Sequence, residues 1–314
     1  MKNWFPSKNK WRELLCTGLI ALLLVAASCT STTTTTTSSA AITTTTAPVT
    51  TATNKSINVF AGSASQPPLL DAAQIFEQKN NIKVNFTFGG SGTVLSQMLL
   101  AKSGDLYIPG SPDYLIKAQA QGVVAANDNG TLLAYLVPAI LVQKGNPKNI
   151  QSLSDLLRPD VTVGIANPAS VCVGLYAIEI LDKNGLLDKL EQAGTVKTYA
   201  TSCENTATLI ALKSVDAVIG WSVFASWNPD TTDVVYLKGS EIPRLAYIPA
   251  AISTFAQDKV SAQKFIDFLA SKDGQAIFSK YGYQVSESEA KKFAPASTVG
   301  GVYNLPTGFT TLVK

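Results

Sequence analysis

"VNFTFGGSGTVLSQM", residues 84–98, carries two periodicities in succession. From Val84 to Phe88 apolar and polar residues alternate, as in a strand; beyond Thr93 the apolar residues recur at helical spacing. Between the two runs stand Gly89, Gly90, Ser91 and Gly92. A glycine-rich turn that ends a strand and opens a helix lets backbone N–H groups face an anion. No lysine follows as in the nucleotide phosphate loop, since Thr93 and Val94 come after Gly92, and the dinucleotide glycine spacing is missing. Two readings stand: a small anion held by Ser91, or a tight turn with a serine cap.

The same strand–turn–helix unit repeats on either side. "INVFAG" (57–62) precedes the helical "PPLLDAAQIFEQKN", and "DLYIPG" precedes "PDYLIKAQAQG". Strand–helix units in series imply a parallel sheet covered by helices, with ligands beyond the strands' carboxyl ends. After Gly130 a long extended stretch with an internal proline, "LLAYLVPAILVQKGNP", breaks the series. The alternation then resumes through "VTVGIA", "GLYAIEILDKNG", "TVKTYA", "CENTATLIALKS" and "DAVIGW". A second extended run, "AYIPAAIST", leads to two closing helices and a Gly/Pro-containing tail over 284–314. The expected fold is α/β and two-lobed. Each lobe is a mostly parallel sheet with helices on both faces, and two hinge crossings join them. Lobe one takes 57–138 plus 249–314, and lobe two takes 139–248. Two lobes with two crossings make a cleft that can close on a ligand.

Composition narrows the function. The 314 residues are 46% hydrophobic and 15% charged, with no histidine. Without histidine the commonest general base and metal ligand is gone. The net charge of +3 is supplied by Lys2, Lys8, Lys10 and Arg12 less Glu13, so the remainder is neutral and gives no basic surface for nucleic acid. That basic start runs into an apolar segment, too short for the ~20 residues of a membrane span, that ends "VAASC" at Cys29. Residues 1–28 read as a signal peptide. "VAASC" resembles a bacterial lipobox, which makes Cys29 a lipidation site. Residues 29–55 are nearly all Thr, Ser and Ala and read as a disordered tether.

Ser63, in "FAGSASQPP", is either a helix cap or an anion ligand. Ser63 and Ser91 end adjacent strands at one sheet edge. From lobe two come "NPASVCVGLY", "ATSCENT" and "IGWSVFASW". Cys172 and Cys203 fall in neighbouring loops, where a disulfide, two free thiols or a thiolate site are all open. Glu204 is the carboxylate near these loops.

"INVFAGSASQPPLLDAAQIFEQKNNIKVNFTFGGSGTVLSQMLLAKSGDLYI", "VCVGLYAIEIL" and "SKDGQAIFSKYGY" together resemble the molybdate/tungstate-binding proteins of ABC importers, class II solute-binding proteins. The resemblance covers about residues 57–283. It implies a type II periplasmic-binding-protein-like fold and capture of a tetrahedral oxyanion, with no catalysis and no cofactor. Carried over by position, it implies Ser63 and Ser91 as hydroxyl ligands and Val171 as a backbone N–H donor. Where the family has a tyrosine this chain has none, and Ser222 is the substitute. Gly62, Gly90, Gly92, Cys172, Glu204 and Trp221 stand around these ligands. Val171 lies where another branch supplies a carboxylate, which implies four-coordinate metal. The implied partners are an ABC permease and its ATPase, with the membrane reached through a lipid at Cys29. The protein is expected to act as a monomer.

Overall fold

The structure, a computed structural model, describes residues 55–313. The signal peptide, the tether and Cys29 lie outside the described residues. Lobe one begins with β1 (Lys55–Gly62), α1 (Gln66–Asn80), β2 (Ile82–Gly89), α2 (Ser91–Ala101), β3 (Leu106–Ile108) and α3 (Pro112–Ala120). The chain crosses on β4 (Thr131–Leu136) and β5 (Pro138–Gln143). Lobe two adds β6 (Val163–Ala166), α4 (Cys172–Lys183), α5 (Leu187–Ala193) and β7 (Val196–Ala200). It continues with α6 (Cys203–Ala211), β8 (Ala217–Trp221), α7 (Val223–Trp227) and β9 (Thr232–Tyr236). β10 (Arg244–Ile252) returns to lobe one, followed by α8 (Lys259–Ala270), α9 (Lys272–Lys280), α10 (Glu287–Lys291) and β11 (Thr298–Val299).

Local chemistry sets these boundaries. Ile57, Val59 and Ala61 of β1 are buried in alternation, the period of a pleated strand. Pro67 and Pro68 occupy the first turn of α1, where a missing N–H costs nothing, and Asn81 ends it in the left-handed conformation. α4 is buried from Cys172 through Leu181, apolar but for Glu179, and packs inside the molecule.

The first sheet has the order β11-β10-β3-β1-β2, with β4 also on β10; the second runs β7-β6-β8-β5-β9. β1, β2 and β3 are parallel, as are β6, β7 and β8. The crossing strands run against them: β5 is antiparallel to β8 and β9, and β10 to β3 and β4. Both sheets are thus mixed, because a strand that leaves one lobe for the other must point opposite to the strands that feed the cleft.

The expected lobe boundaries shift. Pro138 already pairs with Trp221 in the second sheet, which puts it in lobe two. β10 pairs with β4 from Ala246 and with β11 from Arg244, so lobe one resumes before residue 249. The tail also departs from its expected place in lobe one. Ala290, Ala294 and Leu312 are buried with Ile178, Leu181 and Leu245, and Tyr303 and Phe309 pack on them. The apolar residues of the tail thereby cover part of lobe two. The tail is also less irregular than expected, since a capping box of Ser286 and Glu289 opens α10. No helix among the described residues is long and apolar enough to cross a membrane.

Candidate functional site

Three strand ends of lobe one converge. Ser63 begins a 3-10 turn directly after β1, and Ser91 opens α2 directly after Gly90. The third loop follows β3 and brings Gly110, whose N–H donates to Ser91 Oγ at 3.1 Å. Gly62 has no room for a side chain: a Cβ there would stand 2.6 Å from Ser91 Oγ and 2.8 Å from the Gly110 nitrogen. Below them the Tyr107 hydroxyl donates to the Ser91 carbonyl at 2.9 Å. Ser63 and Ser91 are each only 1% exposed.

Lobe two meets this edge with the N-termini of α4 and α6. The Glu204 N–H donates to Ser63 Oγ at 3.3 Å, and the Gly92 N–H donates to the Ser170 carbonyl at 2.8 Å. A Cβ on Gly90 would lie 2.8 Å from the Ser170 oxygen and 3.0 Å from Val171 Cγ2. One on Gly110 would lie 2.6 Å from Cys172 Sγ. The loops of the two lobes therefore touch backbone to backbone, with glycines where they are closest. The resulting surface is neutral: hydroxyls, thiols, backbone amides and the positive ends of helix dipoles. Such donors suit an anion that has shed its water, because charge-assisted hydrogen bonds are about twice as strong as neutral ones.

A model of bacterial extracellular solute-binding proteins matches residues 57–284. The chain belongs to this family. Such proteins bind solutes for ABC importers, working with a permease and an ATPase, and are not enzymes. The chain is 25% identical over 228 residues to the molybdate-binding protein ModA of Rhodobacter capsulatus, covering 69% of this chain and 83% of that protein. Among solved structures, the sulfate-binding protein SubI of Mycobacterium tuberculosis matches with a TM-score of 0.66 at 19% identity, covering 78% of this chain and 94% of that one. The periplasmic molybdate-binding protein of Azotobacter vinelandii matches with a TM-score of 0.63 at 18% identity, covering 74% and 100%. Both show the fold, the type II periplasmic-binding-protein architecture.

In this solute-binding protein the structure sorts the expected site residues. Ser63, Ser91, Gly62, Gly90, Gly92 and Cys172 come together as described. Glu204 contributes its backbone amide to Ser63, while its exposed side chain faces an outer pocket of about 420 Å³ beside Gln66, Asp71 and Trp227. The Val171 amide is already spent: it donates to the Asn167 carbonyl at 2.8 Å and closes the turn before α4. The Val173 N–H faces the two cysteines instead. The Ser222 N–H donates to the Val137 carbonyl at the crossing. Cys172 and Cys203 are not bonded; they are free thiols with sulfurs 3.8 Å apart.

Sequence reasoning passed over the third loop and the phenols. Gly110 sits in "PGSP", which reads as a plain turn. Ser111 Oγ, Tyr114 Oη and Trp221 Nε1 are buried and lack hydrogen-bond partners. Tyr114 lies against Gly92, its ring 2.8 Å from where a Cβ would be. Burial pushes the Tyr114 and Tyr107 hydroxyls up, and proximity to Cys172 raises both further. Among the described residues, no group of three or more cysteine and acidic side chains is placed to hold a metal ion.

Behind the cleft, Arg244 at the start of β10 is 3% exposed and gathers groups from every part of the molecule. It donates to Asp113 of α3 at 3.0 Å, to the Tyr176 hydroxyl at 3.0 Å and to the Gly301 carbonyl of the tail at 2.9 Å. Its Nε pairs with Glu179 of α4, and the guanidinium stacks 4.0 Å over the Tyr176 ring. Burial alone lowers the Arg244 pKa, but Tyr176, Asp113 and Glu179 outweigh it and push it up.

Proposed function

We propose that this protein captures a tetrahedral oxyanion, molybdate or tungstate, between its lobes and delivers it to an ABC permease driven by its ATPase. Its position outside the cytoplasm is that of a monomeric lipoprotein held to the membrane through a lipid on Cys29. The observation that carries the ligand reading is the pair Ser63 and Ser91. They are buried, sit at adjacent strand ends and face helix N-termini of the other lobe. A dianion bound by such donors needs no cationic side chain. The likeness to molybdate-binding ModA supports the choice of ligand. The fold shared with a sulfate-binding protein keeps sulfate as the competing ligand.

The test is thermal unfolding of the full chain with molybdate, tungstate, sulfate and phosphate in turn. A ligand at 100 times its Kd stabilises by about 2.7 kcal/mol. Molybdate and tungstate are expected to raise the midpoint, and the rise to disappear in the Ser63→Ala/Ser91→Ala variant. A shift with sulfate alone replaces the ligand, and no shift with any of the four ends the oxyanion reading. A Cys29→Ala variant found in the soluble fraction, where the parent is membrane-bound, supports the lipid anchor.

A further inference from the structure

Two thiols stand in the cleft where the anion is expected, and oxyanion capture has no evident use for them. Cys172 and Cys203 are the first residues of α4 and α6, both buried, with sulfurs 3.8 Å apart. That separation exceeds an S–S bond by about 2 Å. The two sulfurs have different surroundings. Cys172 reaches across to lobe one, against Gly110 and within reach of the Ser91 hydroxyl. Cys203 stays within lobe two, near the Trp221 indole N–H, which has no hydrogen-bond partner. Cys172 therefore stands beside the Ser91 hydroxyl, a donor that an oxyanion would use. Burial raises its pKa, but hydrogen bonds from Cys203, Ser91 and the Val173 amide outweigh burial and hold it below the ordinary thiol value. Burial pushes Cys203 up, so Cys172 is the more acidic of the two thiols. The Cys172 sulfur thus stands where an incoming anion would have to meet the Gly110 loop.

We propose that Cys172 and Cys203 form a dithiol–disulfide pair whose oxidation opens the anion site, the disulfide form being the one that binds. On oxidation one S–S bond forms and two S–H bonds break. Two electrons and two protons pass to the oxidant. In the cell this is a partner disulfide of the thiol–disulfide exchange class, reduced to two thiols; in vitro it is diamide, reduced to its hydrazine. The bond draws the Cys172 sulfur toward Cys203 and away from Ser91 and Gly110. It frees the space beside Ser91 and the Val173 N–H. Placement at helix N-termini favours the attacking thiolate. The inference rests on the oxyanion reading above.

The experiment compares the full chain treated with dithiothreitol and with diamide. Pairing is read by differential alkylation and mass spectrometry of the peptides that contain Cys172 and Cys203, since Cys16 and Cys29 would confuse a total thiol count. Molybdate affinity is read by calorimetry on both forms. The oxidised form is expected to bind at least about tenfold tighter, equivalent to about 1.4 kcal/mol. The single variants should respond in opposite directions. Cys203→Ala leaves the Cys172 sulfur in place and binds weakly with or without oxidant. Cys172→Ala removes it and binds tightly in both. Failure of the two cysteines to pair, or equal affinity of the two forms, overturns the inference and leaves the oxyanion reading intact. Binding of no oxyanion in either form removes both.

Discussion

At Gly62 the backbone is ordinary, with φ −61°, so the need for glycine comes from its neighbours. The nearest are Ser91 Oγ at 2.6 Å and the Gly110 nitrogen at 2.8 Å from a Cβ at this position. Both belong to the site, and the nitrogen cannot move without the loop that follows β3. Gly62→Ala is expected to cost about 1–3 kcal/mol, the usual range for overpacking, and to abolish the oxyanion response. Urea unfolding and calorimetry read the two effects separately. The serines were legible in the sequence because each follows a glycine at the end of an apolar run. Gly110 was not, because a glycine that serves through its amide leaves no side-chain signature. Val171 illustrates the converse. Its position in the loop was readable, but only the folded turn reveals that Asn167 has already taken its N–H.

α6 is a short helix with a large duty, since its first turn holds Cys203 and the amide that reaches Ser63. Its start is fixed by Ser202, whose Oγ accepts from the Asn205 N–H at 3.0 Å and whose carbonyl accepts from Thr206. Ser202→Ala is expected to cost about 1 kcal/mol, the usual value for a lost N-cap. It should also weaken oxyanion binding, because the amide of Glu204 loses its fixed direction. The unfolding midpoint with and without molybdate measures both. At this scale the sequence was most readable. The parallel strands and long helices fall where their periodicity places them. α5 and α10, of seven and five residues, escaped because one or two turns carry too few apolar positions to define a period. The antiparallel partners of β5 and β10 escaped as well, since strand direction is set by the crossing and not by the composition of the strand.

Arg244 joins the whole molecule: α3 of lobe one, α4 of lobe two, the returning strand and the tail all meet at one guanidinium. Its removal leaves Asp113 and Glu179 buried without a countercharge. Arg244→Met is therefore expected to cost about 3–5 kcal/mol, measured by urea unfolding. The two-lobe plan was legible because the strand–helix series restarts after Pro138. The tail's allegiance to lobe two was not, since its few apolar residues are scattered among glycines and prolines and have no period. The two bonds between the lobes bear on time and not on energy. The Gly92–Ser170 and Glu204–Ser63 bonds close the cleft over serines that are almost wholly covered. A solute reaches them only when those bonds part, so capture is gated by lobe opening. In stopped-flow measurements with molybdate the observed association rate should climb and then level off at the opening frequency. A rate that stays proportional to concentration throughout would mean the serines are reached without the lobes separating.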